Sequence, residues 1–224
     1  MKVCAGGAPI QHVTGARLLG FHLDSALTWE AHIDQLCKRL GSACFALRRL
    51  TMTAGKNAVR ECYFATVHSL LTYGVELWGR ASDWRRVFSQ QKRAIRAMSG
   101  KAEDAPARDL FRELKILPLP CLFIYQVSIF THEHQDMYKR RGINSNYNLR
   151  SNRLHNRLVA EQHKLAKSER SVYIIGPSIY NRLPNSVRDA VSTAAFKVRL
   201  KMWLTQESFY SYDDFFSLPI VDKL

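Results

Sequence analysis

No stretch of this 224-residue sequence approaches 18 uninterrupted apolar residues, the least that a bilayer-crossing helix needs. Residues 1–15 lack both the basic flank and the apolar block of a secretory leader. A chain that is neither membrane-spanning nor secreted is expected. Cysteine is scarce and odd in number: Cys4, Cys37, Cys44, Cys62 and Cys121 contain no C-x2-C pair. A zinc ribbon and a CxxC redox site therefore lack their ligands, and a reduced intracellular setting, nuclear or cytoplasmic, fits best. His132 and His134 lie two apart on an expected helix, where side chains diverge by about 200° and do not share a metal. There is no G-x-S-x-G and no Walker loop. Glu61, Glu76 and Asp109 fall on expected helices without partners, so no catalytic residue and no cofactor is assigned. Acid is short against base. Lys+Arg number 33 against 19 Asp+Glu, a formal charge of +14, which favours polyanion partners, nucleic acid first and an anionic membrane surface second.

What is present is a chain apolar enough to fold, 46% hydrophobic, with its charge in two places. Residues 80–101 hold Arg80, Arg85, Arg86, Lys92, Arg93, Arg96 and Lys101 against Asp83 alone. Residues 138–170 hold nine Lys/Arg, Arg150, Arg153 and Arg157 among them, against Glu161 and Glu169. The first segment reads as a helix from Ser82, its expected N-cap, to Gly100, because Trp84, Val87, Phe88, Gln91, Ile95 and Met98 step by three or four. Wound at about 100° per residue, those six fill one arc, and Arg85, Arg86, Lys92, Arg93 and Arg96 fill the opposite one. Solvated faces normally mix signs; five cations with no acid among them repel one another until a polyanion binds. The second segment has no apolar period and reads as a basic linker or arm.

Elsewhere the periods are mostly helical. Residues 1–24 read as a small hairpin, with a turn at Gly6-Gly7-Ala8-Pro9 and a second apolar stretch from Val13 through Leu18, Leu19, Phe21 and Leu23 to Asp24. Two strands seldom suffice in water, so a larger sheet is expected beside it. Thr28 is the expected cap of a core helix through Trp29, Ile33, Leu36, Leu40, Ala43, Leu47 and Leu50. One long helix is expected from Gly55 to Gly79, contacted on two sides through Val59, Tyr63, Val67, Leu70, Leu71, Tyr73, Leu77 and Trp78. Beyond the basic helix come a helix around Leu110, Phe111 and Leu114 and another over Leu122–Met137, with Pro120 in its first turn. A strand over Val172–Ile175, a short element at Ser178–Leu183 and a helix over Thr193–Thr205 complete the reading. The expected fold is mainly α, a bundle of five to seven helices with a small N-terminal hairpin. Its organisation is 1–24 hairpin, 25–137 helical domain, 138–170 basic arm and 171–224 C-terminal helical segment.

Several segments, in order, resemble the C-terminal part of reverse transcriptases from non-LTR retrotransposons of the jockey-like kind. Leu19-Gly20-Phe21-His22-Leu23-Asp24, with Leu27-Thr28-Trp29 and His32-Ile33, is similar to the join between the palm's last strands and the thumb. Tyr73-Gly74-Val75-Glu76-Leu77-Trp78 resembles a thumb helix, and Gln91, Ile95-Arg96 and Gly100 the helix after it. Leu114-Lys115-Ile116-Leu117-Pro118-Leu119, Gly176 with Tyr180-Asn181-Arg182-Leu183-Pro184, and Phe196-Lys197 through Trp203-Leu204 resemble the region beyond the thumb. The resemblance implies that residues 1–24 come from the palm edge, that Leu18–Phe21 lie near a primer strand, and that 25–137 is thumb-like. It also implies that the aromatic-x-Asp-Asp turn holding two metal ions belongs to a part of the palm not matched here. Mg²⁺ is then expected only in the full-length polymerase, and this chain alone is expected to be inactive. Tyr212-Asp213-Asp214 imitates that turn, but Ser211 stands where the pattern has an aromatic residue, and carboxylates from a separate strand are wanting.

Two functions of different class follow. In the first, the chain is part of an RNA-directed DNA polymerase that grips an RNA or DNA template-primer. Arg85, Arg86, Lys92, Arg93 and Arg96 make the phosphate contacts, Arg48, Arg49, Lys56 and Arg60 form a second patch, and Arg150, Arg153 and Arg157 act from the arm. The missing palm is then a further partner. In the second, the chain is a helical protein-interaction module whose hairpin seeks a strand partner. A retroelement remnant without function is the third alternative.

Overall fold

The chain changes from strand to helix around one carboxylate, Asp24. A computed structural model describes residues 4–5, 8–9, 13–140, 157–159 and 171–220 of the chain. β1 (Cys4–Ala5) pairs antiparallel with β2 (Ala8–Pro9), and β3 (Gly15–Leu18) with β4 (Phe21–Asp24). The single expected hairpin is thus two short ones. Leu19 and Gly20, both at positive φ (48° and 84°), break the stretch read as continuous, because a turn of that hand matches the twist of paired strands. Asp24 then accepts hydrogen bonds from the amides of Ala26, Thr28 and Trp29 and from the Thr28 hydroxyl, all at 2.9–3.0 Å. Those bonds, the Thr28 amide foremost, hold its carboxyl below the usual range. α1 (Glu30–Thr53) starts here, with Trp29 and not Thr28 at the N-cap position, at φ 68°. Trp29 is turned inward onto Phe21, ring centroids 6.0 Å apart. α1 buries Ile33, Leu36, Leu40 and Leu47 as expected, with His32 and Cys44 beside them.

The helix expected over 55–79 is interrupted twice. α2 (Lys56–Tyr63) runs through a π-helical turn at Phe64–His68 into α3 (Ser69–Thr72), and the chain breaks before α4 (Val75–Trp78). Buried Val59, Tyr63, Val67 and Leu71 are four apart, a spacing that drifts by about 40° per step in a 3.6-residue helix; the wider turn takes up part of that drift. The break falls at Gly74, φ 59°, where the Phe21 ring fills the space of a Cβ. Tyr73 and Leu77, read as core, consequently point outward and are about half exposed. The Tyr73 ring stacks on Phe21 (centroids 4.9 Å, 6° between planes), and its hydroxyl donates to the Leu19 carbonyl at 2.6 Å. The β3–β4 hairpin is therefore clamped to this elbow through half-buried β4, while β3 stays exposed along its length.

α5 (Trp84–Met98) follows, with Asp83 rather than Ser82 in the N-cap position. α6 (Arg108–Glu113) and α7 (Leu119–Glu133), which has Pro120 in its first turn, sit where expected. Within the basic segment 138–170, β5 (Lys139–Arg140) pairs with β6 (Leu158–Val159). Tyr138 and Leu158 are buried, and the Asn181 side chain brackets the Leu158 amide and carbonyl at 3.1 and 2.9 Å. Those described ends of the arm are tied to the core. Val172–Ile175 is helical, not a strand: α8 (Val172–Tyr180) lies across α7, with Gly176 so close to Thr131 that a Cβ would overlap its hydroxyl. Tertiary packing there overrides the β-branched run. α9 (Asn185–Arg188), α10 (Thr193–Glu207, capped by the Ser192 hydroxyl) and α11 (Tyr212–Phe216) complete the chain. The fold is mainly helical with small N-terminal hairpins, in more and shorter helices than five to seven. Buried residues from Trp29 to Phe215 form one contiguous core, to which 25–137 and 171–220 both contribute. No helix among the described residues is long and apolar enough to cross a membrane.

Candidate nucleic-acid interface

α5 is held against α1 along its whole length. Asp34 meets Arg86, the Cys44 thiol donates to the Gln90 carbonyl at 3.4 Å, and the Thr51 hydroxyl donates to the Ala97 carbonyl at 3.2 Å. Contacts advance in the same direction on both helices, so the two run parallel. The inward face of α5 is fixed by Gln91, which is wholly buried. Its amide nitrogen donates to the Leu117 carbonyl (2.9 Å) and the Tyr63 hydroxyl (3.2 Å), and its oxygen accepts from the Leu119 amide at 2.8 Å. With α5 unable to rotate, its outward residues are fixed too.

The five cations expected on one face divide into two rows. Arg86 binds Asp34 (2.7 Å) and Asp83 (3.2 Å), which hold its guanidinium above the usual range. Arg93 lies 4.0 Å from Glu103, which also pairs with Arg48 on α1. These pairs lie on the flank facing α1. Arg85, Lys92 and Arg96 form the other row, and none of them makes an ion pair with a carboxylate among the described residues. Arg85 covers the Trp84 ring at 5.0 Å, Lys92 covers Phe88 at 5.0 Å, and Arg96 Nε donates to the Ala105 carbonyl at 2.7 Å. Burial, and secondarily the charge of Arg96, lower the pKa of Lys92. Stacking of cation on ring continues past α5, where Phe88 meets Tyr210 edge-on and Arg108, itself paired with Asp214, stacks over Tyr210 at 4.7 Å. Burial pushes the Tyr210 phenol up to about 12, against the nearby arginines.

The second expected patch also separates. Arg48 is turned toward Glu103, and Arg49 and Lys56 are exposed. Arg60 lies elsewhere: its guanidinium stacks over Phe64 at 5.1 Å, donates to the Leu114 carbonyl at 2.7 Å, and lines a cleft with Arg112, Lys115 and Lys201. Sequence reasoning missed that cleft, since its cations come from three separate segments with no common spacing. Arg150 and Arg153 lie outside the described residues, and Arg157 is half-buried beside Leu158. Tyr212-Asp213-Asp214 is the start of α11. The Tyr212 hydroxyl donates to the Gly79 carbonyl in the core, and Asp214 closes a capping box with Ser211 and lies 3.7 Å from Arg108. Among the described residues no three His, Cys, Asp or Glu side chains are grouped to hold a metal ion, and Cys37, Cys44, Cys62 and Cys121 are free thiols. Compared with protein-family models, curated proteins and solved structures, the chain matches none.

Proposed function

We propose that this chain binds nucleic acid through the outward row of α5, as the thumb-like part of a retroelement reverse transcriptase gripping a template-primer duplex. The observation that carries the reading is the sorting of cations on α5. Arg86 is paired with two carboxylates and Arg93 lies near a third, shared with Arg48, while Arg85, Lys92 and Arg96 are left in line without one among the described residues. Each of the three rests on a ring or a carbonyl, so ordering the side chains at a phosphate costs less entropy than it would for a free lysine or arginine. Contacts of that kind position a backbone and do not read sequence. The retroelement part of the proposal draws on which segments pack together. Leu19-Gly20-Phe21 is clamped on Tyr73-Gly74, and Gln91 is bonded to Leu117 and Leu119. The residues that carry the resemblance are thus mutual contacts, as a shared architecture requires.

Binding of the chain to duplex and single-stranded RNA and DNA of several sequences, measured across a salt series, tests the proposal. It requires steep salt dependence and little sequence preference. A second reading, the protein-interaction module, rests on the open edge of β3, where Leu18 is 58% and Leu19 77% exposed. Absence of nucleic-acid binding at low salt would leave that reading in front.

A further inference from the structure

We propose that the cleft between α2, the end of α6 and α10 is a second binding site, for a nucleotide: a phosphate group beside a stacked base. The outer cleft measures 830 Å³. Arg60, Arg112, Lys115 and Lys201 line it, with Val198 and Met202, and no carboxylate among the described residues does. Asp109 lies 3.6 Å from Arg112 and is itself largely exposed, so the cleft is positive on balance, and a phosphate is the ligand that such a site complements. Lys115 and Lys201 also line a narrower pocket of 230 Å³ behind it, together with Phe64, His68 and Tyr125. An apolar cavity of about 150 Å³ already holds benzene, so the inner pocket has room for one flat ring. Its walls carry two aromatic rings, Phe64 and Tyr125, for a base to pack against. Burial, and then Lys201, disfavour the charged imidazole of His68. A linear acidic peptide would satisfy the cations and leave this inner pocket unused.

Backbone strain gives an independent reason to regard Lys115 as placed for a ligand. The Ile116 amide bonds back to the Phe111 carbonyl (2.9 Å) and the Lys115 amide to the Arg112 carbonyl (3.0 Å). That pair of bonds is a Schellman ending of α6, in which the left-handed position normally belongs to glycine. Lysine stands there instead, at φ 52°. A strained residue kept at the mouth of a pocket is the pattern of a functional position.

Equilibrium binding of AMP, ribose 5-phosphate, a 5′-phosphorylated tetradeoxyadenylate and hexaglutamate to the whole chain tests the site. AMP should bind about 5- to 150-fold more tightly than ribose 5-phosphate, the worth of one stacked base. The better binder of AMP and the tetramer then identifies the source as a free nucleotide or a strand end. Lys115→Gly should raise Tm by about 2–4 °C through relief of the left-handed strain and weaken AMP binding by tenfold or more. Lys201→Gln should weaken it without changing Tm. Arg85→Gln/Lys92→Gln/Arg96→Gln should leave AMP binding intact, so the site stands or falls apart from the backbone grip. No AMP binding, equal binding of ribose 5-phosphate, tighter binding of hexaglutamate, or indifference to both lysine variants would each overturn the proposal.

Discussion

Replacing Arg85, Lys92 and Arg96 together by glutamine removes the three cations of α5 that have no carboxylate partner among the described residues. Each phosphate neutralised on a duplex contributes about 0.9 to the slope of log K against log salt. Three contacts are therefore worth a slope change of about 2.7, and less on single strands. Between 50 and 200 mM salt, a slope of 2.7 corresponds to about a 40-fold fall in affinity; that is the salt sensitivity the variant should lose. Arg86→Gln is the internal control. It lies on the same helix and carries the same charge, but Asp34 and Asp83 already engage it, so its removal should leave the slope unchanged within about half a unit. Arg96→Gln also gives up the hydrogen bond to the Ala105 carbonyl. That loss is worth about 1 kcal/mol at a half-exposed site and shows in Tm rather than in the slope. Fluorescence anisotropy with a labelled duplex at five salt concentrations reads all four proteins. Equal slopes for wild type and the triple variant, or a large effect of Arg86→Gln alone, would refute the assignment by partnering.

Gln91→Leu should be among the most destabilising substitutions in the chain. It strands the Tyr63 hydroxyl, the Leu117 carbonyl and the Leu119 amide in the core, at a cost of about 3 kcal/mol or more by urea unfolding; a loss below about 1 kcal/mol would contradict the hub. Gly74→Ala forces a Cβ into the Phe21 ring at positive φ. Amide exchange in β3–β4 should quicken while α1 and α5 stay protected, and uniform protection would count against the elbow clamp. Burial lowers the pKa of His32, His68 and His132, so the unfolded chain binds more protons than the folded one once pH falls below about 6.5. Stability should then drop from pH 7 toward pH 5, and His32→Phe, which keeps the ring against Phe21 and Trp29, should flatten part of that slope. An unchanged slope would remove His32 from the account.

Helical periodicity made α1, α5 and α10 legible, because each buries one stripe along a regular helix. It failed where a local contact set the backbone. Gly74 breaks a continuous apolar pattern only because Phe21, more than fifty residues earlier, occupies its face. Val172–Ile175 has the β-branched composition of a strand, yet packing of Gly176 against Thr131 makes it helical. Asp24, whose carboxylate organises the start of α1, carried no distance information in the sequence. The candidate interface followed a similar division. The cationic arc of α5 was readable from angle alone, but the partners that divide it, Asp34 and Glu103, come from other elements. The cleft of Arg60, Arg112, Lys115 and Lys201 was illegible for the same reason.

Lysine acetylation with and without a bound duplex addresses the central claim directly, because it reports on individual side chains of the unaltered chain. Lys92 belongs to the outward row of α5, whereas Lys197 is ion-paired with Glu133 on the side formed by α7 and α10, at 2.8 Å. A duplex at saturating concentration and low salt should protect Lys92 at least several-fold and leave Lys197 at its free rate, with the protection vanishing as salt rises. Nucleic-acid binding with Lys92 acetylated as fast as in the free chain would place the interface elsewhere and contradict the assignment of α5.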